Sequence, residues 1–254
     1  MQGDLSGRVA LVTGGSGDIG SCIARRLAQA GADVAITYVG QADAAAGVVA
    51  EVEAAGRRGL AVQLDQRNPD SIVGCAKTVT AQFGQLDILV NNAAWNIGIP
   101  FEDLEALDAD IWDRVLETNL RGPFLLARAL APQLKAAKPL GHMVNIASVG
   151  GISPGSSSIA YSSSKAGLIH LTRCLAVALS PTVAVNCVAP GLVEDTRMAK
   201  RLPDPVADSA RRTAVLGRVG QAEDIATQVL AFVTTTSISG QVMSVDGGMP
   251  TAMR

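Results

Sequence analysis

The sequence predicts an α/β fold, with one domain built on a doubly wound parallel sheet of about seven strands. Short runs rich in Val, Ile and Leu alternate along the chain with longer Ala-rich stretches. The early runs are almost entirely apolar, which is typical of strands covered by helices on both faces. Hydrophobic residues make up 48% of the 254 residues, so the chain can bury the large core that such a domain needs.

The predicted strands are short β-rich runs bounded by turn-forming residues, and helices fill the stretches between them. This alternation gives right-handed βαβ units, which place the strands parallel in one sheet. The predicted strands are Val9–Thr13, Val34–Tyr38, Gly59–Leu64, Leu86–Asn91, His142–Ala147, Val183–Val188 and Gln241–Val245. The predicted helices are Ile19–Ala30, Ala42–Ala55, Pro69–Phe83, Asp110–Ala137, Ile159–Leu179 and Ala222–Val233.

The least regular part of the chain is the segment 191–220, which follows the sixth predicted strand. We expect it to form a lid over a substrate, although a plain surface excursion also explains its composition. No internal repeat or linker divides the sequence, so residues 1–254 are predicted to form one domain that carries this lid.

The composition argues against several classes of function. The net charge is −2, so no basic surplus indicates a nucleic acid or an anionic membrane as partner. The first residues lack the features of a signal peptide, and no apolar stretch reaches the length of about 18 residues that spans a bilayer. Four widely spaced cysteines and two histidines predict reduced thiols, no metal site and a cytoplasmic protein.

A glycine-rich loop, Thr13–Gly20, joins the first predicted strand to the first helix. Backbone N–H groups in such a turn can reach a pyrophosphate at the positive end of the helix, so the loop predicts a dinucleotide site in a Rossmann-type domain. The loop also nearly reads G-x-S-x-G around Ser16, the turn that carries a hydrolase nucleophile. No histidine follows at a suitable late position to act as base, which argues against a serine hydrolase.

The end of the second predicted strand bears on the choice of cofactor. An acidic residue about 20 residues past the loop would accept hydrogen bonds from a ribose 2′-OH. The stretch Ile36–Val39 has no acid there, which slightly favours NADP(H) over NAD(H). No Arg or Lys at Gly15, Ser16 or positions 39–42 is available to hold a 2′-phosphate, so NAD(H) stays open.

Tyr161 and Lys165 are four residues apart in a predicted helix and therefore lie on one face. A nearby ammonium favours the phenolate, lowers the pKa of the tyrosine and makes it a usable acid or base. The same spacing also arises by chance on a solvated helix face, so its meaning depends on the other motifs.

Taken together, the motifs resemble the short-chain dehydrogenase/reductase family over nearly the whole chain, with 3-oxoacyl-thioester reductases as the nearest general type. The resemblance is carried by Thr13–Gly20, Asn91–Ala94, Asn119, Ser148, Tyr161 with Lys165, Pro190-Gly191 and Val245–Gly248. It implies an NAD(P)(H)-dependent oxidoreductase that interconverts a small-molecule carbonyl and a secondary alcohol by hydride transfer. It also implies a homo-oligomer, a dimer or a homotetramer, assembled through the helices that carry Asn119 and Tyr161.

The resemblance assigns roles to four catalytic residues. Tyr161 protonates the carbonyl oxygen or deprotonates the alcohol, and Lys165 lowers the tyrosine pKa and holds the nicotinamide ribose. Ser148 donates a hydrogen bond to the substrate oxygen, and Asn119 anchors a water that connects Lys165 to solvent. The implied cofactor-binding residues are Gly14, Ser16, Gly17, Asp18, Ile19, Gly20, Tyr38, Asp65, Gln66, Asn92, Ala93, Ala94, Tyr161, Lys165, Pro190, Gly191, Val193 and Thr196.

The sequence around Asn119 also predicts a special backbone there, because Pro123 follows four residues later. Proline has no N–H and cannot bond to the Asn119 carbonyl, and Gly122 loosens the same turn. We therefore expect a disrupted helix here and an ordered water on the Asn119 carbonyl, although a mere helix kink has the same cause.

Asp18 stands where the family loop normally has glycine. Because a carboxylate facing the pyrophosphate would repel it, we expect Asp18 to point to solvent or to cap the following helix.

Two other classes of function compete with the enzyme. A cofactor-binding sensor or scaffold of the same fold would not need all four catalytic residues. A sugar-nucleotide epimerase would normally need a longer carboxyl-terminal domain. The composition of the expected substrate pocket (residues 95–99, 152–156 and 191–217) identifies no substrate.

Overall fold

The computed structural model describes residues 3–253 and has one seven-stranded sheet, in the order β3-β2-β1-β4-β5-β6-β7. All neighbouring strands pair in parallel, which confirms the predicted doubly wound sheet. The strands are β1 (Val9–Val12), β2 (Asp33–Tyr38), β3 (Gly59–Gln63), β4 (Ile88–Asn91), β5 (Gly141–Ile146), β6 (Val183–Pro190) and β7 (Val242–Val245).

Helices cover both faces of the sheet. They are α1 (Asp18–Gln29), α2 (Ala42–Ala54), α3 (Pro69–Phe83), α4 (Ala109–Leu116), α5 (Gly122–Ala136), α6 (Ile159–Ala178), α7 (Asp204–Thr213) and α8 (Ala222–Val233). Short 3₁₀ turns span Val149–Gly151, Ala199–Arg201 and Pro250–Ala252. No helix in the described part of the chain is both long and apolar enough to cross a membrane.

The core has one layer on each face of the sheet, because neighbouring strand residues point to opposite sides. Val12 packs with Ile23 of α1 and Phe232 of α8 in one layer. Leu11, the preceding residue on β1, packs with Leu126 of α5 in the other layer. These residues are almost completely buried, and the two layers fix the helices against the sheet.

The sequence predicts one helix over 110–137, but the structure interrupts it with a π-helical turn, Glu117–Arg121, between α4 and α5. Gly122 donates its N–H to the Glu117 carbonyl, five residues back. Pro123 has no N–H to continue the α-helical pattern. The helix is therefore disrupted at Asn119, as predicted, and the disruption is a π-helical turn.

Strand order reverses between β1 and β4, which both lie at the centre of the sheet. In open parallel sheets, ligands bind where the carboxyl ends of strands diverge at such a point. The segment 191–220 follows β6 at the same edge and is less irregular than predicted, because it contains α7.

Candidate active site

The glycine-rich loop is fixed to the carboxyl ends of β2 and β4. The Thr13 hydroxyl is buried and accepts hydrogen bonds from the N–H groups of Asn92 (3.0 Å) and Ala93 (2.9 Å). Gly14, with a φ of +63°, donates its N–H to the Thr37 hydroxyl at 3.1 Å. The Asn92 amide returns a hydrogen bond of 2.8 Å to the Thr13 carbonyl. These contacts hold the loop in one backbone conformation.

Three glycines in this loop cannot carry a side chain without a shift. A Cβ at Gly15 would overlap the Ile36 side chain, and one at Gly20 would overlap the Gly14 carbonyl oxygen. A Cβ at Gly14 would meet Ala93 at 3.0 Å, and its positive φ disfavours a side chain as well. The resulting backbone cradle at the start of α1 fits a dinucleotide pyrophosphate.

The Asp18 side chain is 39% exposed, in line with the solvent-facing orientation predicted for it. Gly17, and not Asp18, is the N-cap of α1, and Asp18 begins the first turn. Its carboxylate accepts a hydrogen bond of 2.7 Å from the backbone N–H of Arg197, in the segment 191–220. The Arg197 Nε lies 3.5 Å from the same oxygen. Asp18 thus remains open to solvent and does not cap α1, and it has in addition a partner from a distant segment that the sequence did not indicate.

Two consecutive asparagines, Asn91 at the end of β4 and Asn92 after it, have different roles. Asn91 is buried in the sheet and donates to the Asn145 side chain at 2.8 Å, so it supports the sheet. Asn92 holds the glycine-rich loop, and Ala93 follows it there. Ala94 is exposed at the crevice.

Asp65 and Gln66 follow β3, at the adenosine side of the predicted site. The Asp65 carboxylate forms an ion pair of 2.8 Å with Arg67, and this hydrogen bonding lowers its pKa. Gln66 is buried and donates to the Thr118 carbonyl at 3.0 Å, in the π turn. Gln66 thus stabilises the turn that carries Asn119.

Other residues of the predicted cofactor set line the same edge. Ser16 and Ile19 are partly buried in the loop and in the first turn of α1, and Tyr38 is partly buried at the end of β2. Pro190 ends β6 and is buried. A Cβ at Gly191 would meet the Asp246 side chain at 2.6 Å, which explains the glycine.

Val193 and Thr196 lie in the segment 191–220 and are both buried. The Thr196 hydroxyl donates to the Val193 carbonyl at 2.9 Å and accepts from the Ala199 N–H at 3.1 Å. Thr196 therefore stabilises its own turn in this structure, and a contact with the nicotinamide stays a prediction.

Ser148, Tyr161 and Lys165 meet at the carboxyl end of β5. Ser148 follows that strand and accepts the Gly150 N–H at 3.1 Å, so its O–H proton stays free to donate. Ser158 caps α6 by accepting the Tyr161 N–H at 3.2 Å, which starts the helix that carries Tyr161 and Lys165. A Cβ at Gly151 would overlap the Lys165 backbone, so glycine allows the Ser148 turn to approach α6.

Burial dominates the proton affinities of this cluster. Burial raises the pKa of Tyr161 to about 12, although hydrogen bonding to Ser148 opposes the shift. Burial lowers the pKa of Lys165 to about 8. The spacing of Tyr161 and Lys165 predicted a lowered tyrosine pKa, whereas the structure raises that pKa because the phenolate would be removed from water.

Asn119 is completely buried and its side chain joins three elements of the site. Its Oδ1 accepts the Trp95 N–H at 2.8 Å, and its Nδ2 donates to the Trp95 carbonyl at 2.9 Å. Nδ2 also donates to the Ser164 hydroxyl at 3.1 Å, which itself donates to the Tyr161 carbonyl at 2.7 Å. Asn119 thus fixes the segment after β4 to the helix of Tyr161.

Several residues that shape the site had no clear signal in the sequence. Thr37 accepts a hydrogen bond from the Gly14 N–H and Ser164 accepts one from the Asn119 amide, and both donors are distant in the chain. Arg197 lies in the segment 191–220, and no motif of the sequence singles it out. The Ile146 carbonyl, which accepts from Lys165 Nζ at 2.8 Å, is a backbone group that no side-chain motif can reveal.

Among residues 3–253, no three His, Cys, Asp or Glu side chains come together to hold a metal ion.

Comparisons with known proteins agree with this geometry. Residues 15–250 match the family model described as enoyl-(acyl carrier protein) reductase. A 3-oxoacyl-[acyl-carrier-protein] reductase of Staphylococcus aureus (strain Mu50) is 38% identical over 244 residues, which cover 94% of this chain and 97% of that protein.

Two solved structures share the fold over almost their full length. A short-chain dehydrogenase from Burkholderia cenocepacia J2315 in complex with NADP has a TM-score of 0.88 and 38% identity, covering 97% of this chain and 99% of that one. A 7α-hydroxysteroid dehydrogenase complexed with NADH and 7-oxoglycochenodeoxycholic acid has a TM-score of 0.90 and 30% identity, covering 98% and 96%. The chain is therefore an oxidoreductase that belongs to the short-chain dehydrogenase/reductase family.

Proposed function

We propose that the protein interconverts a small-molecule carbonyl and a secondary alcohol, with Tyr161 as the general acid or base and NADP(H) as the cofactor. The convergence of Ser148 with the buried Tyr161 and Lys165 carries this proposal. The cluster follows β5, at the same edge of the sheet as the glycine cradle that follows β1. A substrate between them would lie within reach of both sites.

The residues of this cluster have complementary tasks in carbonyl reduction. The nicotinamide of the bound cofactor supplies the hydride to the carbonyl carbon. The Ser148 O–H donates a hydrogen bond to the carbonyl oxygen and stabilises the negative charge that develops there. Tyr161 keeps its proton at neutral pH, because burial raises its pKa, and transfers that proton to the same oxygen. The reverse reaction returns the proton to Tyr161.

Lys165 and Asn119 complete the proposed proton route. The Lys165 ammonium lies beside the Tyr161 ring, where its charge opposes part of the cost of forming the phenolate. The Asn119 carbonyl faces the turn of Pro123, which has no N–H to donate. We propose that an ordered water on this carbonyl links Lys165 to solvent and replaces the proton that Tyr161 gives away.

The cofactor assignment favours NADP(H). β2 ends at Tyr38 without the acidic residue that would bind a free ribose 2′-OH. The relative solved with NADP is 38% identical to this chain, whereas the relative solved with NADH is 30% identical.

The first substrate class to test is a 3-oxoacyl thioester, since the Staphylococcus aureus relative is named for that reduction. The substrate would lie between the segment 95–99, the turn after Ser148 and the segment 191–220, which we propose as the lid. Trp95 borders this space and has the Arg114 guanidinium 4.2 Å from the centroid of its ring.

We also propose a homo-oligomer, a dimer or tetramer, that assembles through α5 and α6. A groove between these helices is lined by Leu116, Leu120, Phe124, His170, Leu171 and Cys174, among others. Phe124 is 42% exposed there and lies beside the other apolar side chains of the groove, as expected of a surface that a partner covers. Sedimentation of Phe124→Glu tests this proposal: a smaller particle than the wild type supports it, and an unchanged oligomer contradicts it.

A matched assay of NADPH and NADH against a panel of 3-oxoacyl thioesters, ketones and secondary alcohols tests the proposed activity. We expect turnover with NADPH on at least one carbonyl, and a lower kcat/KM with NADH. Tight NADPH binding without turnover on any member of the panel would instead support a sensor or scaffold of the same fold.

A further inference from the structure

Arg197 places a positive charge directly over the glycine-rich loop. The site where a Cβ of Gly17 would stand is 3.5 Å from Arg197 Nη2. Gly17 is the N-cap of α1, so the guanidinium lies at the helix end where the cradle presents its N–H groups. Arg197 belongs to the segment 191–220 and reaches this point from the opposite side of the crevice.

The charge of Asp18 would oppose the binding of an anion in the cradle unless a cation offsets it. Its carboxylate lies in the first turn of α1, beside the cradle, and would repel a pyrophosphate. The loop Thr13–Gly20 contains no Lys or Arg to offset that charge. Arg197 is the cation that the structure brings to this carboxylate, with Nε 3.5 Å from Oδ2.

The Asp18 carboxylate lies closer to the backbone N–H of Arg197 than to the Arg197 guanidinium. Oδ2 accepts the Arg197 N–H at 2.7 Å, whereas the guanidinium makes no hydrogen bond to any side chain or backbone group that the structure describes. Asp195, with a φ of +59°, and the buried Thr196 shape the turn that presents this N–H. Since Nε lies beside Oδ2 of Asp18, the four N–H groups on the two Nη atoms remain able to bind an anion.

We propose that Arg197 binds the pyrophosphate of the dinucleotide and that Asp18 is its positioning residue. Binding of the cofactor then also fixes the segment around Arg197 over the crevice. This inference rests on the proposed dinucleotide site, and it adds a ligand from the segment 191–220 to the cradle formed by the loop.

Equilibrium binding of NADPH to Arg197→Gln, measured by calorimetry without any substrate, tests the proposal. Loss of a charge-assisted contact predicts an increase in Kd of about tenfold or more relative to wild type. Lys200→Gln is the matched control, because it removes the same charge from an exposed site in the neighbouring turn. The Kd of Lys200→Gln should stay within about twofold of wild type.

Adenosine 2′-monophosphate, which has no pyrophosphate, should bind equally to wild type and Arg197→Gln. Hydrogen exchange of residues 195–201 gives a second readout: NADPH should slow exchange there in wild type and not in Arg197→Gln. Equal NADPH affinity of Arg197→Gln and wild type, or equal losses in Arg197→Gln and Lys200→Gln, would overturn the proposal. If wild type itself binds no dinucleotide, the proposed function fails instead.

Discussion

The Lys165 ammonium lies 5.6 Å from the centroid of the Tyr161 ring and is buried with it, 3% exposed against 7%. Its Nζ donates a hydrogen bond of 2.8 Å to the Ile146 carbonyl. Burial disfavours the charged form of each group, so it raises the pKa of the phenol and lowers that of the ammonium. In the proposed mechanism, this arrangement keeps Tyr161 protonated at neutral pH and makes the oxidative direction depend on pH.

The two directions should respond differently to pH. Carbonyl reduction consumes one proton. The ratio of kcat/KM for reduction to kcat/KM for oxidation must therefore fall about tenfold for each rise of one pH unit. Because Tyr161 has a pKa of about 12, it is already protonated for reduction and must lose its proton before oxidation. We expect kcat/KM for alcohol oxidation to rise from about pH 6 to pH 9 while the value for reduction stays nearly constant.

Initial rates at low substrate concentration in both directions, in buffers of constant ionic strength, check this expectation. A reductive kcat/KM that falls about tenfold per pH unit beside a constant oxidative value would contradict it. That result would mean that Tyr161 is ionised in the free enzyme.

Replacing Lys165 by methionine should stabilise the fold while it removes activity. The folded-state pKa of Lys165 is about 8, against a reference of 10.5, so the unfolded state binds the proton more tightly. Stability is therefore lost as the pH falls from the unfolded pKa to the folded one, and the full penalty is present at neutral pH. We expect Lys165→Met to raise the free energy of unfolding by about 1–2 kcal/mol at pH 7, after the lost bond to Ile146 is subtracted.

Urea unfolding of Lys165→Met and wild type across the alkaline range measures this difference. The gain should disappear above the reference pKa of lysine, because the amine is deprotonated in both states there. A variant that is less stable than wild type at neutral pH would show that the ammonium stabilises the fold and would contradict this prediction.

Gly20→Ala should damage the cradle more than the fold. A Cβ at Gly20 would overlap the Gly14 carbonyl oxygen and lie 2.7 Å from the Asn92 amide, so the loop must shift. We expect the Kd for NADPH to rise by about tenfold or more, since backbone N–H groups would lose their alignment with the pyrophosphate. Calorimetric titration with NADPH measures the effect.

Gly47→Ala is the matched control, because Gly47 is also helical but has open space at its Cβ position. That change should leave the Kd unaltered and slightly increase stability, as alanine favours helix. If Gly20→Ala binds NADPH as tightly as Gly47→Ala, the loop does not form the cofactor cradle.

The sequence could predict the elements whose signals are local. The spacing of apolar runs gave every strand of the sheet, and α3 (Pro69–Phe83) and α8 (Ala222–Val233) have the predicted bounds. Pro123 predicted the disruption at Asn119, because the missing N–H is a property of that residue alone. The form of the disruption was not predictable, since a π turn also depends on Gln66, which donates to the Thr118 carbonyl from the end of β3.

Contacts between segments that are distant in the chain could not be predicted from the sequence. Asp18 and Arg197 are 179 residues apart, and their hydrogen bond follows from the packing of the segment 191–220 on the loop. The raised pKa of Tyr161 likewise reflects burial, which residue spacing within a helix does not determine. Motifs thus indicated the candidate site, whereas tertiary packing set its electrostatics.

A single-turnover measurement on Tyr161→Phe tests the central claim most directly. The variant should bind NADPH with the Kd of wild type, because it keeps the ring and loses only the hydroxyl. With a carbonyl substrate that wild type reduces, we expect the rate of NADPH oxidation on the enzyme to fall about 10²–10⁴-fold, as for the loss of a general acid. A variant that binds NADPH normally and transfers hydride at the wild-type rate would contradict the role of Tyr161 as the proton donor.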